Sequence, residues 1–248
     1  MINILMTMAG KSNFFDSAEF IYPKPLIEIR GKSMVELAIE NYSQIGDKVK
    51  YIFIVNALDC SKYHLDNVLK LLTNEECEII KIGSETKGAV CSALLAIDII
   101  NNENPLVIAN SDQVIEEDIN KVLAYFKDKD FDAGVITFET VHPRWSYVKV
   151  DNRDMIIEAA EKRPISKKAI AGFYYFKRGG YFVEAAMRSI EKDANVEGSY
   201  YVAPTLNELI LKGMRLGFYN IDSNKYHTFY SPQKISEYEN RNINRGKD

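Results

Sequence analysis

Residues 1–29 read MINILMTMAGKSNFFDSAEFIYPKPLIEI, and the order of textures in that stretch decides the fold. Residues 2–9 form an apolar run that reads as a buried strand. The run closes on Gly10, and polar Lys11, Ser12 and Asn13 follow before the Pro23-Lys24-Pro25 segment. A turn leaving a buried strand points successive backbone N–H groups outward and makes an anion-binding nest. Gly10 lets a phosphate approach the backbone closely and permits positive φ. Two prolines stiffen the next segment and hold Lys24 on a fixed backbone, where a point charge can neutralise phosphate. Taken singly, these pieces also read as an ordinary βα turn and a solvated lysine.

Outward from this stretch the same alternation repeats. Strand-like runs at 50–56, 78–82, 105–110 and 133–138 alternate with helical spacings at 33–42, 62–72, 88–100 and 117–127. Repeated β-α units predict an α/β fold with a mixed, mostly parallel central sheet flanked by helices. After about residue 140 the rhythm changes. A hairpin is expected from 147–150 and 155–158 around Asp151-Asn152, then a strand at 170–176 with a buried glycine. Helices at 181–191 and 204–212, a strand at 215–220 and a closing helix at 232–242 complete the pattern, with a polar, frayed tail. The second half is expected to cover the strand ends, where open α/β sheets bind ligands.

The 248 residues suffice for a large core, and the formal net charge of −4 disfavours a grip on nucleic acid or a membrane surface. Cys60, Cys77 and Cys91 show no metal or redox spacing, so buried, reduced thiols in a cytoplasm are expected. His64, His142 and His227 show no metal spacing either. No basic region precedes the first apolar run, as a signal peptide would require, and no apolar run approaches membrane-spanning length.

Two further pieces fall at predicted strand ends. Asp112, in Asn110-Ser111-Asp112-Gln113, reads either as a Mg²⁺ ligand beside phosphate oxygens or as a helix N-cap. Glu161-Lys162, within Glu158-Ala159-Ala160-Glu161-Lys162-Arg163-Pro164, reads either as a hydroxyl and phosphate binder or as a charged, solvated loop. Trp145 is a pocket residue or a packing residue.

In order, these pieces resemble the sugar-phosphate nucleotidylyltransferases (nucleoside-diphosphate-sugar pyrophosphorylases), over nearly the whole chain. The strongest part is PKPLIEIRGKSMVELAIENY (23–42), similar to the family's P-K-P-L-x-x-x-x-G-K-P-M-x-x-x-x-I-x-N. TKGAVCSAL (86–94), LVIANSDQ (106–113), AAEKRPIS (159–166) with AGFYYF (171–176), and YHTFYSPQKISEYEN (226–240) resemble the base loop, metal strand, sugar segment and terminal helix entrance.

The resemblance implies a Rossmann-like GT-A fold over 1–248 as one domain, with a nucleotide-binding half (1–140) and an acceptor-binding and lid half (141–248). It implies transfer of a nucleotidyl group from a nucleoside triphosphate to a phosphorylated sugar or polyol, with pyrophosphate release and Mg²⁺. Met8, Ala9, Gly10, Lys11, Lys24, Lys87, Gly88, Ala89 and Ser111 would contact the nucleotide. Lys24, Lys11, Asp112 and Lys162 would be catalytic; Asp112 and Asp222 would hold metal. Trp145, Glu161, Lys162 and Gly172 would receive the acceptor. Similarity to short cytidylyltransferases favours CTP, and an activated donor for capsule or lipopolysaccharide is the implied product. A homodimer is the expected assembly.

The chain departs from the family pattern in places. The family loop reads G-x-G-[ST]-R, whereas Ser12 stands for a glycine and Phe14 for the arginine. Its G-T-P-E-D entrance is Phe229-Tyr230-Ser231-Pro232-Gln233 here. Lys11 is the expected substitute for the lost loop charge. The alternatives are a GT-A glycosyltransferase, whose usual D-x-D is absent at Asn110-Ser111-Asp112, and a non-catalytic paralogue that binds nucleotide or sugar phosphate.

Overall fold

A computed structural model describes residues 1–10, 14–15 and 20–241. Its first strand, β1 (Ile2–Thr7), sends Ile2, Ile4 and Met6 into one core layer and Leu5 into the other. Burial on both faces is what a strand inside a parallel sheet requires. After the loop, Pro23 leads into a 3-10 turn (Lys24–Leu26).

Next, β2 (Glu28–Ile29) and β3 (Lys32–Ser33) pair as a hairpin, with Arg30 and Gly31 both at positive φ. Positive φ at both turn positions is type I′ geometry and gives the glycine of the 23–42 stretch its reason. Helix α1 (Met34–Glu40) begins on a capping box, in which Glu36 N–H donates to Ser33 Oγ and Ser33 N–H donates to the Glu36 carboxylate.

The β-α rhythm continues through β4 (Val49–Asn56), α2 (Ala57–Tyr63), α3 (Leu65–Leu72), β5 (Cys77–Ile82), α4 (Ala89–Leu94), α5 (Ile97–Ile100), β6 (Leu106–Ala109), β7 (Gln113–Ile115), α6 (Ile119–Asp128) and β8 (Ala133–Glu139). The second half supplies β9 (Tyr147–Val150), β10 (Ile156–Ala160), β11 (Lys168–Phe176), α7 (Gly179–Glu191), α8 (Val202–Leu211), β12 (Leu216–Asn220), β13 (Tyr226–Thr228) and α9 (Pro232–Arg241).

One nine-stranded sheet runs through both halves in the order β10-β9-β11-β6-β1-β4-β5, with β8 paired to β11 and β12 paired to β8. Strands β6, β1, β4 and β5 are mutually parallel, and β11 enters antiparallel beside β6. The mixed, mostly parallel sheet expected from the β-α rhythm is therefore the one observed.

Two expected helices are each split. His64 takes a left-handed turn (φ 56°) between α2 and α3, so Cys60, Leu65 and Leu69 can all bury in one core layer. The 88–100 helix breaks near Leu95, where Leu95 and Ala96 N–H groups tighten onto the Ser92 and Ala93 carbonyls. The pairs β2–β3 and β7–β13 are too short to show a period in sequence. A third cluster, of Ile27, Ile29, Met34, Phe229 and Ile235, fastens α9 and the strand before it to the 23–42 stretch. No helix of the described residues is long and apolar enough to cross a membrane.

Candidate active site

A cleft of about 710 Å³ opens at the ends of β1, β4 and β6. It gathers Met8, Ala9, Gly10, Lys24, Ser111 and Asp112, all singled out in the sequence. Lys11 lies outside the described residues. Lys24 Nζ pairs with Asp112 Oδ2 at 2.5 Å, and both side chains are about three-quarters buried (24% and 23% exposed). The ammonium also stands 5.6 Å from the centre of the Phe15 ring. The 3-10 turn fixes this lysine from below: Leu26 N–H donates to the Pro23 carbonyl and Ile27 N–H to that of Lys24.

Asp112 is held from two sides. Asn41 donates Nδ2–H to the Gln113 carbonyl (3.2 Å) and accepts from Ile115 N–H (3.1 Å). The closing Asn of the 23–42 stretch is thus the clamp on β7. From the other side, Phe229 N–H donates to the Asp112 carbonyl at 2.8 Å.

The residues that β13 brings beside Asp112 are Thr228, in register with Gln113, and then Phe229, neither of them a carboxylate. Asp222 lies beyond the opposite end of β13. It is exposed and caps a 3-10 turn by accepting from Asn224 N–H. The structure does not bring Asp222 to the cleft. No cluster of three or more His, Cys, Asp or Glu that could hold a metal forms among the described residues.

Of the residues expected to receive the acceptor, Gly172 lies against Asn110 and Gln113, and Glu161 against Ser146. Gly172 sits in a register shift of β11 at φ 56°, where an added Cβ would lie 2.3 Å from both Asn110 Nδ2 and Gln113 Oε1. Its carbonyl accepts from Asn110 N–H (3.1 Å) and from Gln113 Nε2–H (2.9 Å). Gln113 is fully buried and also accepts from Tyr226 O–H at 3.0 Å. Glu161 accepts from Ser146 O–H, and Tyr174 O–H donates to Ser146 Oγ at 3.5 Å.

Burial pushes the Glu161 carboxyl above its ordinary range, against the pull of Ser146 and Lys162. Lys162 donates its N–H to the Trp145 carbonyl (3.1 Å), and its ammonium pairs with Glu197. The Trp145 ring meets Phe138 and Tyr226 edge to face, so its packing role is observed.

The base-loop residues Lys87, Gly88 and Ala89 are tied elsewhere. Tyr200 N–H donates to the Lys87 carbonyl (2.8 Å), and Val90 N–H donates back to the Tyr200 carbonyl (3.1 Å). A Cβ on Gly88 would fall 2.6 Å from the Tyr200 carbonyl oxygen. This clamp therefore requires the glycine, whatever lies on its other face.

Sequence reasoning passed over Gln113, Ser146 and Tyr226, whose roles arise from partners far along the chain. It also could not see that two departures from the family pattern touch. Phe14 meets Tyr230 edge to face with ring centres 5.9 Å apart, and the Arg144 guanidinium lies 3.9 Å over the same Tyr230 ring. The two halves of the chain meet through this stack.

A family model described as nucleotidyl transferase matches residues 20–220. The chain is 24% identical over 238 residues to the bifunctional protein GlmU of Methanocaldococcus jannaschii, covering 91% of this chain and 54% of that one. A nucleoside-diphosphate-sugar pyrophosphorylase from Vibrio cholerae RC9 shares the fold with a TM-score of 0.81 and 22% identity, over 97% of this chain and 100% of the other. A UDP-glucose pyrophosphorylase solved with UDP-glucose gives a TM-score of 0.78 and 17% identity, over 99% and 100%. The chain spans about half the length of the curated relatives it matches. The family match covers most of the chain, which belongs to the nucleotidyl transferase family, as its resemblance implied.

Proposed function

We propose that the protein transfers a nucleotidyl group from a nucleoside triphosphate to a small phosphorylated sugar or polyol and releases pyrophosphate. The observation that carries this reading is the Lys24–Asp112 pair at the ends of the parallel strands, beside the Gly10 turn. The nucleophile is an acceptor phosphate oxygen, already largely dianionic at neutral pH because its second pKa is about 6. No general base is needed. A bond forms from that oxygen to the α-phosphorus, the bond to the bridging oxygen breaks, and its electron pair leaves with pyrophosphate. Catalysis then lies in alignment and charge neutralisation. Lys24 would exchange Asp112 for the leaving phosphates, Lys162 would receive the acceptor phosphate and Glu161 the acceptor hydroxyls. Lys11, which lies outside the described residues, would supply further charge.

A single carboxylate, three-quarters buried beside Ser111 and Asn110, suits Mg²⁺ carried in on a triphosphate, since Mg²⁺ takes few protein carboxylates and several substrate oxygens. Asp112 would hold that ion, which would neutralise phosphate charge. CTP is the favoured nucleotide, on the resemblance to short cytidylyltransferases, and an activated donor for surface polysaccharide is the product that fits. The test is pyrophosphate release with Mg²⁺, pairing CTP, dTTP, UTP, ATP and GTP in turn with pooled sugar and polyol phosphates. Release that requires both CTP and an acceptor is expected. Release with another base would replace CTP alone. No release by folded protein that still binds nucleotide would favour the non-catalytic paralogue.

The acceptor assignment makes a second prediction through Glu161. A raised carboxyl pKa in the folded state favours folding below the ordinary glutamate range, and that contribution is lost as pH rises through the folded value. Glu161→Gln removes the cost of the buried charge. Its Tm gain over the parent should be larger at pH 7 than at pH 4, while acceptor KM rises about 10- to 100-fold. Melting curves at both pH values and steady-state kinetics read the two effects separately. Unchanged acceptor KM would remove Glu161 from the site.

A further inference from the structure

Lys162 and its partner share an uncommon backbone. Val196 and Ser199 exchange both backbone hydrogen bonds, at 2.9 and 3.0 Å, around Glu197 (φ 52°) and Gly198 (φ 79°). Positive φ at both positions makes this a type I′ hairpin, whose first position favours Asn, Asp or Gly. A glutamate there is strained, and so is Lys162, itself at φ 52°. Their side chains meet, Lys162 Nζ lying 2.5 Å from Glu197 Oε2. Among the described residues, no other ion pair joins two residues both in left-handed backbone. Strain of this kind persists where the surroundings over-determine it, and it points to use.

The surroundings do over-determine it. Gly198 N–H donates to Asn195 Oδ1 (2.9 Å), and Tyr200 O–H donates to Asp193 Oδ1 (2.6 Å). Tyr200 is the residue that clamps the base loop, and the Tyr201 ring lies 5.3 Å from Lys162 Nζ. The hairpin backbone is thus fixed while the Glu197 side chain, 72% exposed, remains free to swing. An ion pair this open to water is weak, so a phosphate dianion competes well for the same ammonium.

We propose that Glu197 is a placeholder anion: its carboxylate occupies Lys162 in place of the acceptor's phosphate, leaves when that phosphate arrives, and so sets acceptor affinity as a positioning residue. This rests on reading Lys162 as the acceptor-phosphate lysine. It makes an unusual prediction, because deleting a native ion pair should strengthen binding. Structural damage would weaken it.

The test is titration of the full chain with inorganic phosphate, followed by NMR at the backbone amides of Lys162 and Gly198, which separate this site from the Lys24 cleft. Glu197→Gln is expected to bind phosphate about two- to fivefold more tightly than the parent, the size of an exposed charge effect. In a Lys162→Ala background the Glu197→Gln gain should vanish. Equal or weaker binding by Glu197→Gln, with Lys162 still responding, overturns the placeholder and leaves the acceptor reading standing. Signals that phosphate never moves, in either protein, overturn both.

Discussion

Lys24→Ala is expected to lower kcat for pyrophosphate release by about 10²- to 10³-fold, the usual loss when one preorganised charge on a reacting phosphate is removed. The reason lies in how the lysine is mounted. Pro23 and Pro25 fix the backbone on either side of it, the 3-10 turn fixes its own carbonyl, and Asp112 holds its ammonium at 2.5 Å. Such a group neutralises charge without first being ordered, so the loss falls on the chemical step. Removing Lys24 also leaves Asp112, three-quarters buried, without its partner, so some loss of Tm is expected and melting is measured beside turnover. Lys24→Arg should recover only part of the rate, because a planar fork does not reproduce a point charge. Single-turnover kinetics on folded protein is the measurement. Normal turnover by Lys24→Ala would remove this lysine from the reaction.

Gly172→Ala should be a strongly damaging single-methyl change. Two costs add at this position. Alanine at φ 56° is strained by about 1–2 kcal/mol. The new methyl also drives into Asn110 and Gln113 at 2.3 Å, and overpacking of that kind costs about 1–3 kcal/mol. A Tm loss of about 5–15 °C follows, with weakened acceptor binding, because Gln113 holds both the Gly172 carbonyl and Tyr226. Gly213→Ala is the matching control. It has φ 73° with nothing near the position of a new Cβ, so only the strain remains. Equal melting losses in the two variants would show that the Asn110–Gln113 contact does not bear on Gly172.

Much of the molecule was legible because local chemistry carried it. Apolar runs without alternation announced strands buried on both faces, and β1, β4 and β6 are such strands. In residues 23–42 the prolines around Lys24 were legible, whereas the glycine in the I′ turn, the Ser-x-x-Glu cap and the Asn41 clamp on β7 are explained by the structure. Lys24 and Asp112 were both legible, each beside its own strand end. Their pairing across the cleft was not, because nothing local to either names the other.

What the sequence alone determined was therefore the fold class and the residues that the β1 and β6 ends would present. Periodicity and turn chemistry act over a few residues and survive in a linear reading. Tertiary structure decided the rest. It placed Asp222 at an exposed turn instead of the cleft, because the β7–β13 ladder sets Thr228 and Phe229 beside Asp112. It put Tyr200 against Gly88, Glu197 on Lys162 and Tyr230 between Phe14 and Arg144. Each of these depends on distant segments meeting in register, and strand register is fixed by packing of the whole sheet, which no short window of sequence contains.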